Sequence, residues 1–145
     1  MIKLIMDKKK ALASVKKDCR KFDNLPDILK NDKDIILQIV EEYPGCFYYV
    51  TDKKILSDKN FILECLDKAS GDILEHLDKK LKADEEIVVK ALKKFGNSLE
   101  HVDKKFKKDK KIVLLALENA HPFGMENYID KSLLKDKDIK KFLDQ

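Results

Sequence analysis

The sequence contains few of the residues that build turns. Its 145 residues include only four glycines, three prolines and no tryptophan. All-β proteins need many glycine-rich turns, and disordered or collagen-like chains are enriched in glycine or proline. The composition therefore excludes a disordered or collagen-like chain and argues against an all-β protein. An apolar content of 43% is sufficient for one domain with a buried core.

Arginine is almost absent from the basic residues. Of 31 cations only Arg20 is an arginine, and bidentate recognition of phosphate or guanine requires the planar guanidinium group. The charge is also uneven. Residues 1–30 carry nine basic and four acidic side chains, residues 31–81 seven and eleven, and residues 82–145 fifteen and twelve. The single arginine and the acidic middle disfavour nucleic-acid binding.

The three cysteines, Cys19, Cys46 and Cys65, show no metal-ligand spacing, and their odd number favours reduced thiols. Cys19 and Cys46 are candidates for mildly activated thiolates, without a histidine nearby in sequence to make a catalytic pair. The first six residues contain too few apolar side chains for a signal peptide or a membrane span. We therefore expect a cytoplasmic protein that does not associate with membranes.

An aspartate recurs every 25 to 27 residues along the chain, at Asp7, Asp32, Asp58, Asp84, Asp109 and Asp136. After the four inner aspartates, apolar residues lie at offsets 3, 4, 7 and 8, which form one face of a helix. The end units depart from this pattern, with Lys10 after Asp7 and Lys140 after Asp136. The aspartate occupies the N-cap position, where its carboxylate can accept the free N–H groups of the first turn. The small residues at offset 7 are expected to be buried where neighbouring helices meet, and they include Cys65, Ala91 and Ala116.

A glycine follows three of these aspartates after 12 or 13 residues, and Gly45, Gly71 and Gly96 are predicted to be left-handed C-caps. A second apolar pattern then predicts a B helix of about two turns, most clearly in 74–81 and 99–106. The chain is therefore predicted to be an all-α solenoid, a single domain over 1–145 with about five degenerate two-helix repeats of roughly 26 residues. The predicted units are 7–31, 32–57, 58–83, 84–108 and 109–135, followed by a capping helix over 136–145.

The recurring pattern of aspartate, apolar triplet, small residue and glycine resembles the bacterial repeat family called domain of unknown function 4116. The resemblance covers roughly residues 7–143 and departs from the family pattern at Lys10 and over 121–124. It implies an α-helical repeat. It supplies no activity, cofactor or catalytic residue.

The histidines give a weak signal for chemistry. Glu75-His76 and Glu100-His101 recur one repeat apart, but a zinc site needs three or four converging ligands and only His121 remains. We interpret His76 and His101 as repeated surface residues and as candidate partner contacts. We expect no metal, no cofactor and no enzymatic activity.

Two further groups of side chains are candidates for partner binding. Phe47 is predicted to lie in the core, which leaves Tyr43, Tyr48 and Tyr49 as interface anchors or as packing over the first unit. A run of lysines is interpreted either as a patch for nucleic acid or an acidic partner, or as a solvated turn. This lysine run consists of Lys104, Lys105, Lys107, Lys108, Lys110 and Lys111. Its candidate contacts are Lys104, Lys105, Lys107 and Lys108.

The sequence thus predicts a monomeric, non-enzymatic module that binds a macromolecule, with a protein as the favoured partner. Two alternatives remain open. One is a small inhibitor or immunity-type protein that blocks an enzyme such as a nuclease or toxin. The other is a weak nucleic-acid binder that uses the lysine-rich ends.

Overall fold

A computed structural model describes residues 2–69, 72–121 and 123–144. Within these residues every regular element is a helix and no strand is present, which confirms the all-α prediction. The chain divides into two compact halves, Met1–His76 and Leu77–Gln145. The boundary falls inside the third predicted unit, 58–83.

In the N-terminal half, the long helices pack in chain order, α1 against α3 and α3 against α5. Short 3-10 helices and single helical turns connect them. The α-helices are α1 (Ile2–Lys17), α2 (Asp27–Lys30), α3 (Lys33–Glu42), α4 (Lys53–Ser57) and α5 (Lys59–Lys68), and the 3-10 helices are Cys19–Phe22, Pro44–Tyr49 and Leu74–His76.

The C-terminal half repeats this arrangement, with α7 packed against α9 and α9 against α10. Sequential packing of similar helix-turn units confirms the helical repeat. The α-helices are α6 (Lys79–Lys82), α7 (Glu85–Lys94), α8 (Lys104–Lys107), α9 (Lys110–Glu118) and α10 (Lys137–Leu143), and the 3-10 helices are Gly96–Glu100 and Met125–Asn127.

The recurring aspartates cap the long helices as predicted. The carboxylate of Asp84, for example, accepts the backbone N–H groups of Glu86 and Ile87 at 3.1 and 3.2 Å. The same role is filled at the start of α3, α5, α9 and α10 by Asp32, Asp58, Asp109 and Asp136. Asp7 differs because α1 begins at Ile2 and runs through it, so the first repeat has no capped start at this position.

The predicted left-handed caps at Gly45 and Gly96 are wrong. The C-cap residues of α3 and α7 are Tyr43 and Phe95, with φ values of −142° and −137°, and among the described residues the only positive φ belongs to Gly124. Gly96 is needed for a different reason, because a Cβ atom there would lie 2.0 Å from the carbonyl oxygen of Ala116. Gly71 lies outside the described residues.

The predicted two-turn B helices are each divided into a 3-10 helix and a separate single α-turn. A second aspartate causes the division, because its carboxylate caps the later turn. These second caps are Asp52, Asp78 and Asp103, at the start of α4, α6 and α8. Each lies 19 or 20 residues after the first aspartate of its repeat, and that spacing is the signal the pattern search missed.

The small residues Cys65, Ala91 and Ala116 are fully buried, as predicted, on the packed helices α5, α7 and α9. Backbone hydrogen bonds add to the packing in the C-terminal half. The N–H of Asp103 donates to the carbonyl of Lys82, and the N–H of Asp130 donates to that of Lys107, both at 3.0 Å. Across the described residues, no helix has the length and apolar character needed to cross a membrane.

Candidate functional site

The turn after α3 carries several aromatic rings on a rigid backbone. Pro44 starts the 3-10 helix Pro44–Tyr49, and its fixed φ suits the first position of a helix. Phe47 is fully buried there, whereas Tyr48 is 64% exposed and Tyr43 is 37% exposed. Because Phe47 occupies the core position, the neighbouring tyrosines are left at the surface.

The exposed ring of Tyr48 contacts two other rings. Its centroid is 5.1 Å from that of Tyr49 and 5.6 Å from that of His76, and both contacts are edge-to-face. This is a favourable geometry for aromatic pairs. His76 also lies 6.1 Å from Phe47. We call Tyr43, Tyr48, Tyr49 and His76 the aromatic surface.

From the sequence, His76 and the tyrosines were two unrelated groups of candidate partner contacts. The structure brings His76 and Tyr48 together. They belong to 3-10 helices in consecutive repeats, Pro44–Tyr49 and Leu74–His76. Stacked repeats place equivalent segments side by side. Their separation of 28 residues, close to the length of one repeat, was the available signal.

A polar cleft adjoins the aromatic surface, with a volume of about 210 Å³. Tyr49 lines it, together with Asp27, Asp52 and Lys30. Lys30 donates to the carbonyl oxygen of Asp23 at 3.1 Å and lies 3.7 Å from Asp27. The cleft therefore contains more acidic than basic groups.

Cys19 and Cys46 form a disulfide, with their Cα atoms 5.0 Å apart. This corrects the expectation that all three cysteines are reduced thiols, and it excludes a thiolate at either position while the bond is intact. The two residues lie 27 positions apart, which is one repeat, so stacking of the first two units brings them within bonding distance. The spacing of the two cysteines in the repeat register was the available signal.

Cys65 is the remaining cysteine, and its thiol is buried. Burial, the largest cause, raises the pKa of the Cys65 thiol to about 12. A thiol with so high a pKa is a poor nucleophile at neutral pH. The interpretation of Cys65 as a core residue is confirmed.

Most of the lysine run has structural contacts. Lys107 is half-buried, and its Nζ donates to the carbonyl oxygen of Glu100 at 2.6 Å; burial lowers the pKa of this lysine. Lys105 lies over the ring of Phe106 at 4.7 Å, and Lys108 is 3.8 Å from Asp130.

Further along the run, Lys110 pairs with Asp136 and Asp138 at 2.8 and 2.6 Å. Lys104 is exposed. Four lysines of the run thus contact neighbouring groups within the C-terminal half, namely Lys105, Lys107, Lys108 and Lys110.

The other histidines lie in the C-terminal half. His101 is half-buried and His121 is exposed. Among the residues that the structure describes, no group of three or more His, Cys, Asp or Glu is arranged to hold a metal ion. Sequence reasoning missed two exposed apolar side chains, Phe123 at 98% and Ile28 at 67%.

The fold defines a helical repeat protein, and sequence comparison identifies its family. The family described as Domain of unknown function (DUF4116) matches residues 7–56, 58–106 and 84–124. The chain belongs to this family. A search of curated proteins and a search of solved structures each found no match.

Proposed function

We propose that this chain is a non-enzymatic, cytoplasmic helical-repeat module that acts as a monomer and binds a partner protein through the aromatic surface. The observation that carries the proposal is the position of Tyr48, which is 64% exposed and contacts Tyr49 and His76 edge-to-face. Tyrosine is enriched among the residues that dominate binding energy at interfaces.

The rings are held in place before a partner arrives. Tyr48 lies on a short 3-10 helix that Phe47 fixes to the core, and two rings restrict its side chain. Less conformational entropy is then lost on binding than for a freely rotating side chain. A partner that covers Tyr48 also gains the burial of its apolar ring.

The proposed partner presents a basic segment. The exposed faces of tyrosine rings attract ammonium and guanidinium groups, and the adjoining cleft contributes the carboxylates of Asp27 and Asp52. Residues 31–81, which include the whole aromatic surface, also carry an acidic balance of eleven to seven. A lysine or arginine beside an apolar side chain matches this surface.

The contacts of the lysine run favour protein over nucleic acid as the partner. Lys107 donates to a carbonyl oxygen, and Lys110 pairs with two carboxylates. Such lysines neutralise fewer phosphates, and non-specific nucleic-acid affinity depends on the number neutralised.

The first test uses defined probes and nuclear magnetic resonance. Oligolysine and oligoglutamate of equal length are titrated separately into the purified chain. We expect oligolysine to produce saturable shifts at Tyr48, Tyr49 and His76, and oligoglutamate to produce none there. Shifts confined to oligoglutamate at Lys104 and its neighbours would overturn the proposal.

The second test identifies the partner by pull-down from native cell extract, with and without nuclease. Tyr48→Ala should weaken capture of the partner at least about tenfold, as loss of an interface anchor does. Phe123→Ala is the control, because Phe123 is an exposed aromatic ring, at 98%, in the other half. Equal capture by wild type and Tyr48→Ala, or capture abolished by nuclease, would contradict the proposed function.

A further inference from the structure

We propose that the Cys19–Cys46 disulfide is a reversible redox staple that holds the aromatic surface in place, so that thiol reductants control it. The regulatory meaning of the staple rests on the proposed function, because that function gives the aromatic surface a partner. The staple itself is a property of the fold and is testable without any partner.

The bond connects the aromatic surface to the first repeat. Cys46 lies on the 3-10 helix Pro44–Tyr49, two residues before Tyr48, and Cys19 lies on the 3-10 helix Cys19–Phe22. The two 3-10 helices pack against each other. A covalent bond between them therefore holds the 3-10 helix Pro44–Tyr49, which carries Tyr48 and Tyr49, against the first repeat.

The first repeat is the one that most needs such a bond. Asp7 lies within α1 rather than capping it, and Lys10, at a core position of the pattern, is exposed. Near Cys19, Phe22 is the buried side chain of its 3-10 helix. The staple therefore adds stability where the repeat pattern itself is least complete.

The two sulfur atoms differ in access to solvent. Cys46 is fully buried, whereas Cys19 is partly exposed. A reducing thiolate therefore attacks the sulfur of Cys19 and forms a mixed disulfide with it, while the sulfur of Cys46 leaves and takes up a proton. A second thiol then attacks the mixed disulfide and releases Cys19 as a thiol. Two thiols of the reductant, a dithiol protein or a small-molecule thiol, are oxidised to one disulfide.

Reduction restores conformational freedom to the 27-residue segment between the two cysteines. The buried Phe47 and the hydrogen bond from the Cys46 N–H to the Tyr43 carbonyl, at 2.8 Å, remain. The 3-10 helix Pro44–Tyr49 should then open more often, while the rest of the chain stays folded. In a cytoplasmic protein, where stable disulfides are rare, such a bond is typical of redox sensing.

The test is hydrogen exchange followed by mass spectrometry on the full chain, with and without a dithiol reductant. We expect reduction to accelerate exchange over 43–50 by about tenfold or more. Exchange over α9 should change little, because α9 belongs to the other compact half. The melting temperature should fall by roughly 10 °C on reduction.

The matched control is the double variant Cys19→Ser with Cys46→Ser, which should exchange like the reduced wild type and ignore the reductant. If that variant does not fold, the comparison of oxidised and reduced wild type still decides the matter. Equal exchange over 43–50 in both redox states would overturn the staple. So would alkylation of Cys19 and Cys46 in the native chain after incubation with a thiol oxidant.

The staple and the proposed function fail in distinguishable ways. Faster exchange on reduction, combined with oligolysine shifts that are the same in wild type and Tyr48→Ala, would support the staple and contradict the function. Unchanged exchange, combined with loss of oligolysine binding in Tyr48→Ala, would support the function and overturn the staple.

Discussion

The Nζ atom of Lys33 lies 2.8 Å from Oδ2 of Asp58, the aspartate that caps the next long helix. The relation recurs along the chain, because Lys8 lies 2.6 Å from Asp32 and Lys110 lies 2.8 Å from Asp136. Each of these lysines directly follows the aspartate of its own repeat. One residue type thus connects the start of one repeat to the cap of the next.

The pairing of Lys33 with Asp58 makes the free energy of unfolding depend on pH in the acid range. The hydrogen bond from Lys33, the largest cause, lowers the pKa of Asp58 below its ordinary value of 3.8. A lowered pKa in the folded chain gives stability that is present above the ordinary pKa and lost as the pH falls through the folded pKa. Lys33→Met should therefore be less stable than wild type between about pH 5 and 8, and this difference should shrink below about pH 4.

Urea unfolding at a series of pH values measures this difference. Lys53→Met is the control, since Lys53 is exposed and follows the second aspartate of its repeat, Asp52. A gap between wild type and Lys33→Met that stays constant down to pH 2 would contradict the pairing.

Asp109 offers a clean measurement of a helix cap. In the other repeats, the lysine after the aspartate is the residue that can pair with the next cap, but the preceding repeat has Glu85 at that position. The carboxylate of Asp109 therefore acts through the N–H groups of Lys111 and Ile112, at 2.9 and 3.3 Å. Asp109→Ala should lower the free energy of unfolding by about 1 kcal/mol, and Asp109→Asn should retain most of it. Chemical denaturation that ranks Asn with Ala would argue against capping.

Two glycines in equivalent turns should respond oppositely to alanine. A Cβ at Gly96 would lie 2.0 Å from the carbonyl oxygen of Ala116, whereas a Cβ at Gly45 meets no atom within 4 Å. Gly96→Ala should destabilise the chain by about 3 kcal/mol or more through overpacking. Gly45→Ala should be within about 0.5 kcal/mol of wild type. Thermal melts of the two variants test this, and similar melting temperatures would show that α9 can move away.

Cys65 should be unreactive in the folded chain. Burial raises the pKa of its thiol to about 12, so little thiolate is present at pH 8, and Cys19 and Cys46 are bonded to each other. Titration with a thiol-reactive disulfide reagent should detect no fast thiol in the native chain and one after unfolding in denaturant. A fast native thiol would show that the site around Cys65 opens readily.

The helical repeat was predictable because its signals are local. Asp32, Asp58, Asp84 and Asp109 cap helices through N–H groups two or three residues ahead, and such contacts depend on nearby sequence alone. The burial of Cys65 and Ala91 also followed from their shared position in the pattern.

The features that sequence did not predict depend on contacts between repeats. Gly96 was predicted to adopt a left-handed conformation. Glycine is required there for another reason, because a Cβ atom would collide with the carbonyl of Ala116, which is 20 residues away. The bond between Cys19 and Cys46 and the contact between Tyr48 and His76 likewise join neighbouring repeats. An exact register of stacking is needed to foresee them, and apolar spacing predicts that stacking occurs without giving its atomic distances.

These contacts join residues that are about one repeat apart in the sequence, and this separation affects how the chain folds. Lys8 and Asp34 are 26 residues apart, Lys33 and Asp58 are 25 apart, and Asn97 and Met125 are 28 apart. Closing a loop of this length costs about the same entropy at every repeat, and low contact order is associated with fast folding. A nucleus can therefore form at any repeat and grow one repeat at a time towards both ends, in the manner of a one-dimensional chain of coupled elements.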